Sequence, residues 1–249
     1  AGMTDSIGWR QKLAVLIPST NTSVQPEFDA MRPSGVSNHI SRIQIPNIAL
    51  NNDDDFNKLI ELIQEAQTAA VDSVMSSEPD RLVLGISAET FWDGLAASRQ
   101  LKKSLEAHTG LEVSMGSDAC LEALNLYGVK KLGVVTPYQP VGDKNVVRFF
   151  EQAGFEVVNI IGLKCQSPVH IAHVQETELC RAIRQVDGDD VEAVVQVGTN
   201  LAMARLAGFA ETWLEKPVVA INTAIYWHAL RKSGIEDRID GWGSLLLHH

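Results

Sequence analysis

The sequence predicts an α/β protein of two duplicated halves, each a four-stranded parallel sheet flanked by helices, with a ligand cleft between them. Three observations carry this expectation. Short β-branched runs alternate with amphipathic stretches along the chain, the pattern of βαβ units. Three segments of the first half recur in the same order in the second. No Pro/Gly/Ser-rich linker interrupts the chain, which favours tightly apposed halves over separate beads.

The expected strands of the first half are Leu13–Ile17, Ile40–Ile45, Leu82–Ile86 and Leu111–Met115. Those of the second are Leu132–Thr136, Phe155–Ile160, Ala193–Val197 and Val218–Ile221. The clearest helix runs from Asp55 to about Met75. Phe56, Leu59, Ile60, Ile63, Ala66, Ala70, Val71 and Val74 share one face at helical spacing, and Asp53-Asp54-Asp55 suits a helix N-terminus. Gly110, Gly128, Gly154, Gly188 and Gly234 each follow a helical pattern, where a left-handed C-cap favours glycine.

The duplication rests on three matches. Leu13–Pro18 (LAVLIP) matches Leu132–Pro137 (LGVVTP) at an offset of 119. Arg81–Glu89 (RLVLGISAE) matches Glu192–Asn200 (EAVVQVGTN) at 111, and Leu111–Ala119 (LEVSMGSDA) matches Pro217–Ile225 (PVVAINTAI) at 106. The offset stays 106 into the following helices, from Ala123-Leu124 to Ala229-Leu230. The halves are therefore expected at 10–116 and 117–223, with the C-terminal helix in 224–249 packing back on the first. In open parallel sheets ligands gather outside the carboxyl ends of the strands, so two facing units surround one cleft.

Composition excludes several classes of partner. A net charge of −10 over 249 residues argues against nucleic acid and against anionic membrane, and no apolar run approaches the ~20 residues that span a bilayer. The stretch Ala1 to Arg10 has no signal-peptide core, and Ala1-Gly2 before Met3 reads as an added remnant. Three cysteines without CxxC spacing fit reduced thiols in a cytoplasm. No metal-ligand set or GxGxxG fingerprint is present, so no cofactor is expected. The expected partners are a small carboxylate ligand and further copies of the same chain.

The loops at the strand ends carry the chemistry. Pro18-Ser19-Thr20-Asn21-Thr22 places four hydroxyl or amide side chains in five residues, which can grip a carboxylate or cap a helix. Gly85-Ile86-Ser87-Ala88-Glu89-Thr90 and its repeat partner Val197-Gly198-Thr199-Asn200 face each other across the expected cleft. Thr136-Pro137-Tyr138 brings a phenol to the cleft mouth, and the last strand ends in Asn222-Thr223. Ser19, Thr20, Asn21, Ser87, Thr136, Thr199, Asn200 and Thr223 are the candidate substrate contacts.

On these loops the chain resembles the aspartate/glutamate racemase superfamily, in the branch of maleate cis-trans isomerase and arylmalonate decarboxylase. The PSTNT-type loop, Gly85–Gly94, Thr136-Pro137-Tyr138, the GTNL run Gly198–Leu201 and PVVAINTA at Pro217–Ala224 carry it, and within the branch it is most similar to the ectoine utilisation protein A group. The resemblance implies flavodoxin-like halves, no metal or organic cofactor, and small carboxylate substrates, possible amino-acid derivatives of ectoine catabolism among them.

It also implies two catalytic cysteines, one per half, acting as acid and base on opposite faces of the substrate. Those positions here are Ile86 (Ser87 if the register slips by one) and Gly198, and neither carries a thiol. Of the cysteines present, Cys120 and Cys180 read as helix-buried, and Cys165, just past a strand end, is either a loop thiol or a cleft residue. Glu89, beside Phe91 and Trp92, is the candidate substitute acid or base, against the alternative of a dipole-favoured residue in a first helical turn. Tyr138 is the second candidate catalytic group. His170 and His173 lack a third metal ligand, and Asp53-Asp54-Asp55 reads as a helix start rather than a magnesium site. The expected activity is that of an isomerase, racemase or lyase beside a carboxylate, with a carboxylate-binding or accessory protein as the opposing possibility.

Overall fold

In the computed structural model the described residues are 4–249, so the Ala1–Met3 segment lies outside them. The first sheet comprises β1 (Gln11–Pro18), β2 (Val36–Ile43), β3 (Arg81–Leu84) and β4 (Val113–Ser114), in the order β2-β1-β3-β4. The second comprises β5 (Lys131–Thr136), β6 (Glu156–Gly162), β7 (Ala193–Gln196) and β8 (Val218–Ala220), in the order β6-β5-β7-β8. Every pairing is parallel. The central strands are apolar without alternation, because helices cover both faces of each sheet.

The helices of the first half are α1 (Val24–Met31), α2 (Asp53–Met75), α3 (Ala88–Phe91), α4 (Gly94–Thr109) and α5 (Gly116–Tyr127). Those of the second are α6 (Pro140–Gln152), α7 (Pro168–Ile171), α8 (Glu176–Val186), α9 (Ala204–Leu214), α10 (Ile221–Lys232) and the short α11 (Ser244–His248). Among the described residues no helix is long and apolar enough to cross a membrane. Helix α2 buries Phe56, Leu59, Ile60, Ile63, Ala70, Val71 and Val74, and each of the larger side chains contributes about 1.5–3 kcal/mol of apolar burial. The halves meet where α10 packs along α5 and also touches α1. A Cβ on Gly116 would stand 2.5 Å from Ile221 Cδ1, so the close approach of these two helix starts requires the missing side chain.

Strand pairing corrects two of the three offsets read from sequence. Ala14 pairs Leu82 and Gly133 pairs Val194, so an offset of 119 in the first strand becomes 112 in the third. Leu82 pairs Val113 and Val194 pairs Val218, which gives 105 in the fourth. Sequence matching misplaced both by one because strands buried on both faces have no polar alternation to fix a register. Under the corrected register Ile86 and Gly198 are equivalent positions. The second strand begins and ends earlier than expected, at Val36 and Ile43. Gly110, Gly128, Gly154 and Gly234 take positive φ beside helix ends, whereas Gly188 does not: α8 ends on extended Asp187 instead.

Candidate active site

Four strand-end loops and the start of α2 converge on one cavity of about 60 Å³ between the halves, room for a few water molecules or a small organic molecule. From the loops come Pro18, Thr20 and Asn21 after β1, Ile86 and Ser87 after β3, Tyr138 after β5, and Gly198, Thr199 and Asn200 after β7. Ile45, Phe56, Leu59 and Ile63 form a wall from the first half, and Pro168 and Ile171 contribute from the second. No lining residue among those described is charged, and none is a cysteine.

The loop after β7 is bonded to the other half through Gly198 N, Thr199 Oγ1, Asn200 Oδ1 and the Asn200 carbonyl. Asn21 Nδ2 donates to Thr199 Oγ1 at 3.2 Å, and Thr199 Oγ1 donates to the Gly85 carbonyl at 3.0 Å. The Thr22 N–H donates to Asn200 Oδ1 at 3.0 Å, Ser23 Oγ to the Asn200 carbonyl at 2.9 Å, and the Gly198 N–H to Ser87 Oγ at 2.9 Å. Behind it, Asn222 Nδ2 donates both to Glu27 Oε1 at 2.8 Å and to the Thr199 carbonyl at 2.9 Å. Glu27 Oε2 accepts from the Ala204 N–H, and burial raises this carboxyl to about 7. Each neutral bond is worth about 1 kcal/mol net. Together they hold the polar end of the cavity in one geometry before any ligand arrives.

Tyr138 is not at a mouth but inside. It is buried, its ring lies 5.2 Å from that of Phe56, and its hydroxyl has no hydrogen-bond partner. Burial pushes its ionisation well up, so at neutral pH it is an intact proton donor.

The other expected site residues divide. Thr20, Asn21, Ser87, Thr199, Asn200, Ile86 and Gly198 line the cavity, whereas Ser19, Thr136, Thr223 and Glu89 do not. Ser19 Oγ is engaged with Ile45, donating to its carbonyl and accepting from its N–H. Thr136 Oγ1 donates to Asp143, whose carboxyl burial raises to about 6. Thr223 is buried on α10 with an unpartnered hydroxyl. Glu89 is buried against α2, accepts from Gln67 Nε2 at 3.1 Å, and rises to about 7 through loss of hydration, opposed by that bond. Asn21 also spends its carbonyl oxygen on the N–H groups of Ser23 and Val24, so it turns the chain into α1 as well as facing the cavity.

Among the cysteines, Cys120 is fully buried and pushed up to about 12, and Cys165 is buried outside the cavity lining and raised to about 11. Cys180 is only half-buried, since α8 turns it toward the edge of the core rather than into it. His170 and His173 stack with centroids 5.2 Å apart, and among the described residues no group of three metal-binding side chains forms. Sequence reasoning missed Glu27, which sits in an ordinary-looking helix and acquires its role only across the interface. It also read Phe56, Leu59 and Ile63 as core alone. The available signal was length: their stripe starts directly behind the three aspartates.

The two-sheet fold is that of the maleate isomerases. The maleate cis-trans isomerase of Nocardia farcinica, solved as a cysteine-to-serine variant with a covalently bound succinylcysteine intermediate, superposes with a TM-score of 0.87 over 96% of this chain and 99% of that one, at 19% identity. The Pseudomonas putida S16 maleate isomerase, solved as a cysteine-to-alanine variant with maleate, gives 0.83 over 95% and 97%, also at 19%. In sequence, a maleate isomerase of Pseudomonas putida is 25% identical across 94% of this chain and 96% of its own length. The model of the arylmalonate decarboxylase family matches residues 13–246, and the chain belongs to that family.

Proposed function

We propose that the protein is a cofactor-independent isomerase or lyase that works beside the carboxylate of a small substrate, without a thiol. The observation that carries this reading is the unpartnered Tyr138 hydroxyl, buried in a cavity whose polar end is already fixed by bonds between the halves. Thr20 and Asn21 receive the carboxylate, with the Thr199 hydroxyl fixing Asn21 in place. Transfer of a proton from the neighbouring carbon to a water in the cavity leaves an enediolate, which hydroxyl and amide donors stabilise. Tyr138, kept neutral by burial, returns the proton. Ser87 Oγ, which accepts from the Gly198 N–H, also lines the cavity and keeps its own hydrogen to donate to the ligand.

Several finer points belong to the same reading. The relatives that act on or bind maleate, and the covalent cysteine intermediate of the Nocardia enzyme, point to small acids as ligands. Ile86 and Gly198 stand at the positions where the resemblance implies thiols, which supports a route without a covalent cysteine intermediate. The loops Pro18–Thr22 and Gly198–Leu201 resemble those of the ectoine utilisation protein A group, and that resemblance supports trying a small acid of ectoine breakdown as a substrate.

A second reading has its own support. Gly198 has φ +95°, and a Cβ there would stand 2.5 Å from the Pro137 ring, so the second thiol position is shaped around a glycine. A carboxylate-binding protein that does no chemistry would tolerate that. The test is proton exchange: a panel of small acids is incubated with the protein in D₂O and followed by NMR. Exchange or turnover that falls about 10²–10⁴-fold in Tyr138→Phe, with binding retained, supports the enzyme. Tight binding with neither exchange nor turnover across the panel gives the site to the second reading.

A further inference from the structure

The pseudo-twofold is broken at the cavity. Helix α2, which joins the second and third strands of the first half, has 23 residues. Its counterpart α8 has 11. The additional length of α2 lies over the cavity, and there Phe56, Leu59 and Ile63, spaced three and four residues apart, turn one apolar stripe inward. In the second half the same stretch of chain is mostly irregular and supplies only Pro168 and Ile171.

Apart from Tyr138, the polar side chains gather elsewhere. Thr20 and Asn21 follow β1, and Asn21 is bonded directly to Thr199. Phe56 instead lies against Tyr138 and Trp92, with centroids at 5.2 and 5.8 Å. The cavity thus has a polar end and an apolar wall, with no lysine, arginine or histidine among its described lining residues to neutralise a second negative charge.

Resting on the reading of this cavity as a carboxylate site, we infer that its ligand is lopsided: a monocarboxylate bearing a short aliphatic arm, the acid on Thr20 and Asn21 and the arm on the α2 wall. A compact dicarboxylate is a poor fit. One of its carboxylates would lose its water against Phe56, Leu59 and Ile63 and gain no counter-charge there. A branched or linear arm of a few carbons gains from burial on the same surface. The cavity volume of about 60 Å³ keeps that arm short.

The experiment is calorimetric titration of the full chain with four probes: butanoate, 3-methylbutanoate, succinate and maleate. The expected result is that 3-methylbutanoate binds about tenfold or more tightly than either diacid. In Leu59→Ala the 3-methylbutanoate affinity should fall about five- to tenfold while maleate changes less than about twofold. The comparison of probes on the unaltered protein stands even if that variant folds poorly. Maleate or succinate binding as tightly as 3-methylbutanoate would overturn the inference and leave the carboxylate site intact. If none of the four acids binds to the folded protein, the carboxylate reading falls and this inference with it.

Discussion

The loops after β3 and β7 hold equivalent places in the two halves, yet they do different work. The loop after β7 makes no helix until Ala204, turns on a left-handed glycine, and sends its hydrogen bonds across the interface to Gly85, Ser87, Thr22 and Ser23. The loop after β3 enters α3 at once and buries its carboxylate, Glu89, against Gln67 of its own half. The first is a rivet between halves; the second is a brace within one. Duplication supplied the two positions, and a handful of side chains divided the tasks.

Returning a thiol to each position should expose that difference most strongly. Gly198→Cys places a Cβ 2.5 Å from Pro137 at φ +95°; the strained backbone costs about 1–3 kcal/mol by itself, and the clash adds to it. The expected loss is about 3 kcal/mol or more, visible as a large drop in the urea midpoint or as failure to fold. Ile86→Cys only shortens a buried side chain, at a cost of about 1–2 kcal/mol. Equal losses for the two variants would show that the glycine is incidental.

Glu89→Gln tests the brace. The folded carboxyl titrates at about 7 against an ordinary value of 4.5. Its pKa is raised on folding, so the stability linked to its protonation is complete below about 4.5 and is lost as pH rises through about 7. The size is about 2–3 kcal/mol across that window. Glu27 and Asp143 are raised as well, to about 7 and about 6, so the informative quantity is the difference between wild type and variant. Urea midpoints measured from pH 4 to 8 should show a flatter decline in Glu89→Gln and a more stable variant at pH 8. Parallel curves would mean that Glu89 is hydrated.

Asn200→Ala tests the rivet. It removes the acceptor for the Thr22 N–H and the donor to the Pro168 carbonyl. The expected cost is about 2 kcal/mol, together with faster amide exchange at Thr22 and weaker carboxylate binding. Unchanged exchange at Thr22 would show that the bond does not tie the halves.

How much of this was legible beforehand follows from what each feature depends on. All eight strands and the duplication could be read because they rest on local composition and periodicity. The register could not, since valine and leucine fit either face of a doubly covered strand. That Thr20, Asn21, Ser87, Thr199 and Asn200 would gather at one cavity was legible because polar clusters at strand ends have few other uses. Ser19 and Thr136 were chosen by the same logic, but their hydroxyls serve the loop itself, through Ile45 and Asp143. Glu89 showed its burial in the flanking Phe91 and Trp92 but not its direction, which depends on where α2 lies. Glu27 gave no signal, because its partners are 177 and 195 residues away in the chain.

The smallest effect concerns the helices that make the halves unequal. Helix α2 begins with a built cap: Asn52 Oδ1 accepts from the Asp55 N–H at 2.9 Å, and Asp55 Oδ2 accepts in return from the Asn51 N–H at 2.9 Å. Helix α8 begins at Gln175 with no side-chain cap. The cap matters because Phe56 lies in the first turn, where fraying would lower the wall over the cavity. Asn52→Ala should cost about 1 kcal/mol, the usual effect of losing an N-cap. Since the first turn also lines the cavity, part of this loss should appear as weaker binding of 3-methylbutanoate, with maleate unaffected. Gln175→Ala, the matched change on α8, should alter neither stability nor affinity measurably. If Asn52→Ala lowers the urea midpoint but leaves 3-methylbutanoate binding untouched, then packing against Tyr138 and Trp92, rather than the cap, holds Phe56 in place.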